Sequence, residues 1–355
     1  MPNLVANTDI AKSFNINNIE VKNMPVNFKK CFRLFLVLGI LTSCAKDKAS
    51  IHLMRFEQDL FDKQSLASSN HFANLQKKYG PFYQTFAEEM LNISEEERTV
   101  AYQPSLDKFV HFPSIQQLKF EVDSVFPDIV KFEQQLADAM GVYQKEFPQD
   151  RVPSFITFLS EFGYAHANLD TIVSIGLDMY LGASYPLYPA LDFPDFMVAK
   201  LRKEYMLTNT LKSLAIGKYE HQLKDKRFLA MMLFEGKIRY FIKELAPEIP
   251  DTILLGYSQT QHQWAKENEG MIWAHLLETK MLFQQDPAVY MRYVNDGPFT
   301  IATGVPQESA PAIGVFAGYQ IVKEFMDKNR SVSLKQLMEN QQWDLILKES
   351  AYRPK

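Results

Sequence analysis

Apolar residues recur at spacings of three and four along most of this chain, the period of a helix with one buried face. The clearest case is Phe228 to Leu245. There Phe228, Met231, Met232, Ile238, Phe241, Ile242 and Leu245 share a face, and Pro247 and Pro250 close the element. Phe56 opens a helical region that runs to Tyr79 and stops at Gly80-Pro81, and Phe82, Phe86 and Met90 align in a second helix over 82–91. Glu95-Glu96-Glu97 reads as a solvated helix start, while 105–118 fits no single period. Pro127 stands at an N1 position ahead of Ile129, Phe132, Leu136, Met140 and Tyr143. The stretch 196–222 reads as one or two helices. Ser258 and Gln261 form a capping box before a long helix through Trp264, Ile272, Trp273 and Leu277 to Phe283. A last long helix spans Gly314 to Met326, with Gly314 and Gly318 suited to close packing, and Ser333 with Gln336 caps a short terminal one.

Only 152–191 departs from this pattern. Two β-branched and aromatic runs, Ser154–Phe162 and Thr171–Tyr180, flank a polar turn at Asn168-Leu169-Asp170. They predict two antiparallel strands or a wide hairpin. Asp178 falls on the second strand, with Gly176 and Tyr180 on its face by period two. Pro186, Pro189 and Pro194 then mark an irregular segment. The pattern as a whole predicts an α+β protein, predominantly α-helical, with a small antiparallel sheet.

The N-terminus carries a different signal. Met24 begins a basic segment with Lys29, Lys30 and Arg33, followed by an apolar run, Leu34 to Leu41, too short to span a bilayer. Thr42-Ser43-Cys44 then places small residues directly before a cysteine, the pattern of a bacterial lipobox. Residues 24–43 are thus expected to be a lipoprotein signal peptide cleaved between Ser43 and Cys44, with acylation of Cys44 and a tether over 44–50. The alternatives are a secretory signal with a chance cysteine, or a buried helix. Residues 1–23 belong to no signal peptide: translation starts at Met24, or a polar extension precedes the signal. Ala45 after the cysteine permits outer-membrane sorting by the enteric rule, and Lys46-Asp47-Lys48 also fits a surface-export tag. Which face of that membrane the protein occupies stays open. Such a lipid anchor attaches a protein to a membrane surface without a transmembrane helix.

The composition, 46% hydrophobic and 23% charged over 355 residues, suits one large globular core over 51–355. The aromatics, 13% of residues, recur at helical spacing and read as core. Residues 1–44 hold five basic and two acidic residues, so their removal takes the formal charge from −4 to −7. That argues against nucleic acid and against a polybasic membrane patch. Of the two cysteines, Cys31 lies in the removed segment, so no disulfide framework is expected.

Catalytic motifs are absent. There is no Gly-x-Ser-x-Gly, no phosphate-binding glycine loop and no His-Glu-x-x-His. The seven histidines, at 52, 71, 111, 166, 221, 262 and 275, are dispersed. Two acids remain as candidates. Glu235 sits on or beside the apolar face of its helix, either paired with Arg239 at i,i+4 or a relic of the third ligand of a metallopeptidase. Asp178 is a buried acid with a backbone or tyrosine partner, or part of a cleft to which Tyr180, Tyr185 and Tyr188 add contact surface. In the second case the strand ending at Leu181, or its neighbour, offers an edge for peptide pairing.

These residues resemble the gliding motility lipoprotein GldB family of Bacteroidetes. The resemblance rests on the lipobox, on Arg55-Phe-Glu-Gln-Asp-Leu-Phe61, and on Ile175-Gly-Leu-Asp-Met-Tyr-Leu-Gly182. It extends through Gly236-Lys237, Tyr240-Phe241, Pro250-Asp251, Gly256-Tyr257, Gln263-Trp264, Ile272-Trp273, Arg292-Tyr293, Pro298-Phe299 and Gly318-Tyr-Gln-Ile-Val322. It implies a lipid-anchored component of the gliding and associated protein secretion machinery, with other machinery proteins as partners and no known reaction or cofactor. The family is similar at a distance to zincin-like peptidases, in which a His-Glu-x-x-His helix precedes a Glu-Gly helix. Glu235-Gly236 matches the second of these, but 208–222 lacks the first. That implies a zincin-like helical scaffold without its metal. The rival expectation is a divergent metallopeptidase using Glu235 and the dispersed histidines. Ser309-Ala-Pro-Ala-Ile-Gly314 also departs from the Pro-Gly-Arg-like turn the resemblance leads one to expect.

Overall fold

Three short parallel strands and one antiparallel strand lie among the helices. The computed structural model describes residues 51, 53–94, 100–169 and 171–354. The strands are β1 (Leu53–Arg55), β2 (Ser154–Phe158), β3 (His166–Leu169) and β4 (Ile172–Gly176), in the order β1-β2-β4-β3. The α+β, predominantly helical class holds, but the sheet is mixed. β2 and β4, expected to be antiparallel, run parallel, with Phe155 opposite Val173 and Thr157 opposite Ile175. β3 pairs antiparallel with β4, and β1 pairs parallel with β2. The chain leaves β2, arches over 159–165, descends as β3, and returns as β4 through the gap between them.

That arch explains two features of its sequence. It crosses the end of β4 so closely that a Cβ on Gly176 would lie 2.1 Å from the Tyr164 carbonyl oxygen, so only glycine fits there. It also turns through left-handed conformations at Glu161 (φ 53°) and Phe162 (φ 64°), which other residues adopt at a cost. A local tie must hold them, and Asp178 supplies it.

The helices that position the sites are α1 (Phe56–Leu60), α2 (Pro113–Val125), α3 (Val130–Glu146), α4 (Met206–Tyr219), α5 (Phe228–Leu245), α6 (Ile313–Lys328), α7 (Leu334–Glu339) and α8 (Trp343–Ser350). α5 has the bounds its periodicity predicts. α3 begins three residues beyond Pro127, and its expected face, Phe132, Leu136, Met140 and Tyr143, is buried. The helical region after Phe56 is broken into Phe56–Leu60, Lys63–Leu66 and His71–Tyr79. The expected long helix after Ser258 divides at Asn268 into Gln259–Glu267 and Glu269–Glu278, though the capping boxes at Ser258 and Ser333 both form.

α5 and α6 cross through glycines. A Cβ on Gly236 would stand 2.3 Å from the Gly318 carbonyl oxygen, and one on Gly318 would stand 2.0 Å from that of Met232. Beside this crossing Lys237 is buried, and no carboxylate among the described residues pairs with it. Its Nζ donates to the Met338 and Asn340 carbonyls at 2.9 and 2.7 Å and lies 4.6 Å from the centre of the Trp343 ring. It thereby satisfies carbonyls at the end of α7 that the helix leaves unpaired. The Arg55–Phe61 motif is also structural. Phe56 is enclosed by Tyr79, Phe82, Tyr83 and Phe86. Glu57, fully buried, accepts hydrogen bonds from Arg55 Nε and Thr157 Oγ1, both at 2.7 Å, and so ties β1 and α1 to β2.

Candidate functional site

Asp178 lies in a 3-10 turn, Leu177–Tyr180, one step beyond β4 and not within a strand. Its carboxylate accepts from Ser160 N–H at 3.0 Å, Ser160 Oγ and Phe162 N–H at 2.6 Å. These bonds pin both ends of the left-handed step in the arch. Burial pushes the carboxyl up to about 6 against the pull of those donors. Asp178 is therefore the fastener of the β2–β3 crossing, the bonded buried acid that was one of its two readings.

The tyrosines close over it. Tyr188 is completely buried, donates to the Asp178 carbonyl oxygen at 2.7 Å and accepts from Leu181 N–H at 3.0 Å. Tyr180, 1% exposed, accepts from Asn209 Nδ2 at 3.0 Å and stands 3.4 Å from His166 Nδ1. Tyr185 is half-buried, donates to Glu121 and packs on Phe162 and Tyr188. Tyr180 and Tyr188 are core residues and cannot add contact surface. Nor does either proposed strand offer an edge, because β2 and β4 both lie inside the sheet. The outer strands each contact a helix. Leu53 N–H of β1 donates to Glu133 on α3, and Asn168 of β3 exchanges hydrogen bonds with Ser213 on α4.

Glu235 meets a different set of residues. Arg239, one turn on, donates to its carboxylate through Nη1, and Lys212 Nζ on α4 approaches to 3.9 Å. Burial raises the carboxyl, but Arg239 and then Lys212 outweigh it and hold Glu235 below the usual carboxylate range. Arg239, and after it burial, in turn lower Lys212. Both cations face a cavity of about 150 Å³, which Lys200, Thr208, Asn209 and Asp296 also line. Lys200 binds both carboxylate oxygens of Asp296, at 2.5 and 2.6 Å. Thr208 Oγ1 and Arg239 Nε are buried without a hydrogen-bond partner among the described residues, a state that costs about 1–3 kcal/mol per group when nothing fills it.

The residues present do not suit the metal that a zincin-like scaffold implies. Two cations already compensate Glu235. The residues on α4 that line the cavity, Thr208, Asn209 and Lys212, have the i, i+1, i+4 spacing of His-Glu-x-x-His with none of its ligands. Four of the six described histidines are engaged apart from one another: His71 with the Leu60 carbonyl, His111 with Asp107, His166 with Thr210 and His275 with Tyr293. Among the described residues no three His, Cys, Asp or Glu side chains group to hold a metal ion. The Glu235–Arg239 pair was legible from its spacing. Lys212, Lys200, Asp296 and Thr208 were not, since each reaches the site through tertiary contact. His52, Ser43 and Cys44 lie outside the described residues.

A family model described as gliding motility protein GldB matches residues 42–354. No curated protein matches the chain, and no solved structure does.

Proposed function

Since this chain belongs to the gliding motility protein GldB family, we propose that it is a lipid-anchored envelope protein of the gliding and associated secretion machinery, working by protein–protein contact on a degenerate peptidase-like scaffold. Cys44 carries the anchor, and the outer membrane is its site. The family is a motility component, and the match begins at Thr42, just before that cysteine. No helix among the described residues is long and apolar enough to cross a membrane.

The observation that carries the non-hydrolytic part of this reading is the closure of Glu235 by Arg239 and Lys212. A metal ligand must present its carboxylate to the ion. Here an ammonium and a guanidinium take that place, and a dication brought beside them meets two like charges.

The test is genetic. A strain lacking the chain should cease to glide, regain gliding with the wild-type chain, and fail to regain it with Cys44→Ser, whose product should also carry no labelled fatty acid. Undiminished gliding without the chain contradicts the motility assignment. Acyl label retained by Cys44→Ser contradicts the anchor.

A further inference from the structure

The cavity beside Lys212 holds one more positive charge than negative. Among the described residues Lys200, Lys212 and Arg239 line it with three cations, Asp296 lines it with one carboxylate, and Glu235 supplies a second through its pairs with Lys212 and Arg239. Arg239, Glu235, Asp296 and Lys200 are also the charges that act most on Lys212. Three buried donors here lack a partner among the described residues: Thr208 Oγ1, Arg239 Nε and Tyr257 OH, in residues 4%, 9% and 3% exposed. The first two line the cavity itself. Tyr257 lines a second hollow of about 260 Å³ that adjoins it at Lys200, Tyr205 and Gly256.

An arginine Nε–H can only donate, so it calls for an acceptor. Arg239 gives Nη1 to Glu235 and keeps its Nε edge free, the side from which guanidinium grips a planar oxyanion. Water alone would satisfy the donors, and the inner cavity has room for about five molecules at roughly 30 Å³ each. It would leave the excess charge uncompensated. A single negative charge with two acceptor oxygens answers both needs, and a phosphate dianion exceeds the charge available.

We propose that this cavity binds a carboxylate, seated between Lys212, Arg239 Nε and Thr208 Oγ1, with the remainder of its molecule in the hollow beside Tyr257. The outer hollow offers Phe196 and Tyr205 for apolar contact and Gln261 for hydrogen bonding, which suits the last residues of a peptide. The proposal stands apart from the motility reading, since carboxylate binding does not depend on what the anchored protein assembles with.

The test uses the purified full-length chain, titrated with N-acetyl-trialanine, its C-terminal amide, acetate and inorganic phosphate, and read by calorimetry and by the rise in melting temperature. The free acid should bind and the amide should bind about tenfold more weakly or not at all. Lys212→Met should weaken the acid to a similar degree. Thr208→Val, which keeps the side-chain shape and removes one donor, gives the same comparison if Lys212→Met fails to fold. Trialanine acid binding more tightly than acetate identifies a peptide terminus, and equal binding identifies a small acid. The proposal is overturned if neither acid binds, if acid and amide bind alike, if phosphate binds as tightly as the acids, or if a folded variant binds unchanged.

Discussion

Replacing Gly318 by alanine should destabilise the protein, although the same change stabilises most helix interiors. In isolation, glycine to alanine inside a helix gains roughly 0.5–1 kcal/mol. At Gly318 the new Cβ would stand 2.0 Å from the Met232 carbonyl oxygen and 2.8 Å from its carbon. Both are backbone atoms of α5, so no side chain can swing away, and the two helices must separate. Overpacking of this kind costs roughly 1–3 kcal/mol, and a clash with backbone belongs at the upper end. The net loss is then on the order of 1–2 kcal/mol after the helical gain. Gly141, inside α3, is the matched control. A Cβ there meets nothing within 4 Å, so Gly141→Ala should gain roughly 0.5–1 kcal/mol. Urea denaturation of the two variants and the wild type measures both signs. A Gly318→Ala protein as stable as wild type, beside a stabilised Gly141→Ala, would refute the backbone-contact argument for the α5–α6 crossing.

Two further outcomes follow from buried ionisable groups. Asp178→Asn replaces one acceptor oxygen facing the arch by an amide, and should lose roughly 1–3 kcal/mol in denaturant melts at neutral pH. Asp178 is raised from 3.8 to about 6 in the fold, so the native state binds its proton more tightly and wild-type stability should fall as pH rises across that window. The Asn variant should lack this fall, and parallel pH profiles would count against it. Burial lowers Lys237 from 10.5 to about 7, so the unfolded chain holds the extra proton between those values and wild-type stability should rise with pH there. Lys237→Met should lose that rise, along with roughly 1–3 kcal/mol from carbonyls left without a donor. An unchanged slope would place the ammonium in solvent.

What the sequence disclosed follows from the range of the interactions. α5 was legible to the residue because apolar residues at helical spacing run through its eighteen positions and prolines close it, although the helix is buried on nearly every side. The capping boxes are likewise local, and both formed. β1 was invisible, since three residues show no period and its partner lies a hundred positions away, Leu53 opposite Phe155. The direction of β2 against β4 was misjudged because β3, a polar His-Ala-Asn-Leu, gave no strand signal. Without it the two strong runs look like one hairpin. Asp178 was recognisable as a buried acid, but its partners Ser160 and Phe162 depend on that same unseen crossing. In the charged site only Glu235 and Arg239 are neighbours along the chain. Lys212 lies on another helix, and Asp296, which reads locally as a turn residue, lines the cavity in a pair with Lys200.

The central claim is that Glu235 is closed by its own cations and serves a non-hydrolytic, contact-making protein. Elemental analysis of the purified full-length chain after extensive dialysis, with melting temperature recorded with and without a chelator, tests it most directly. The account predicts only trace metal and a melting temperature that chelation leaves unchanged. One zinc per chain, lost on chelation with a fall in melting temperature, would contradict it and restore the metallopeptidase reading.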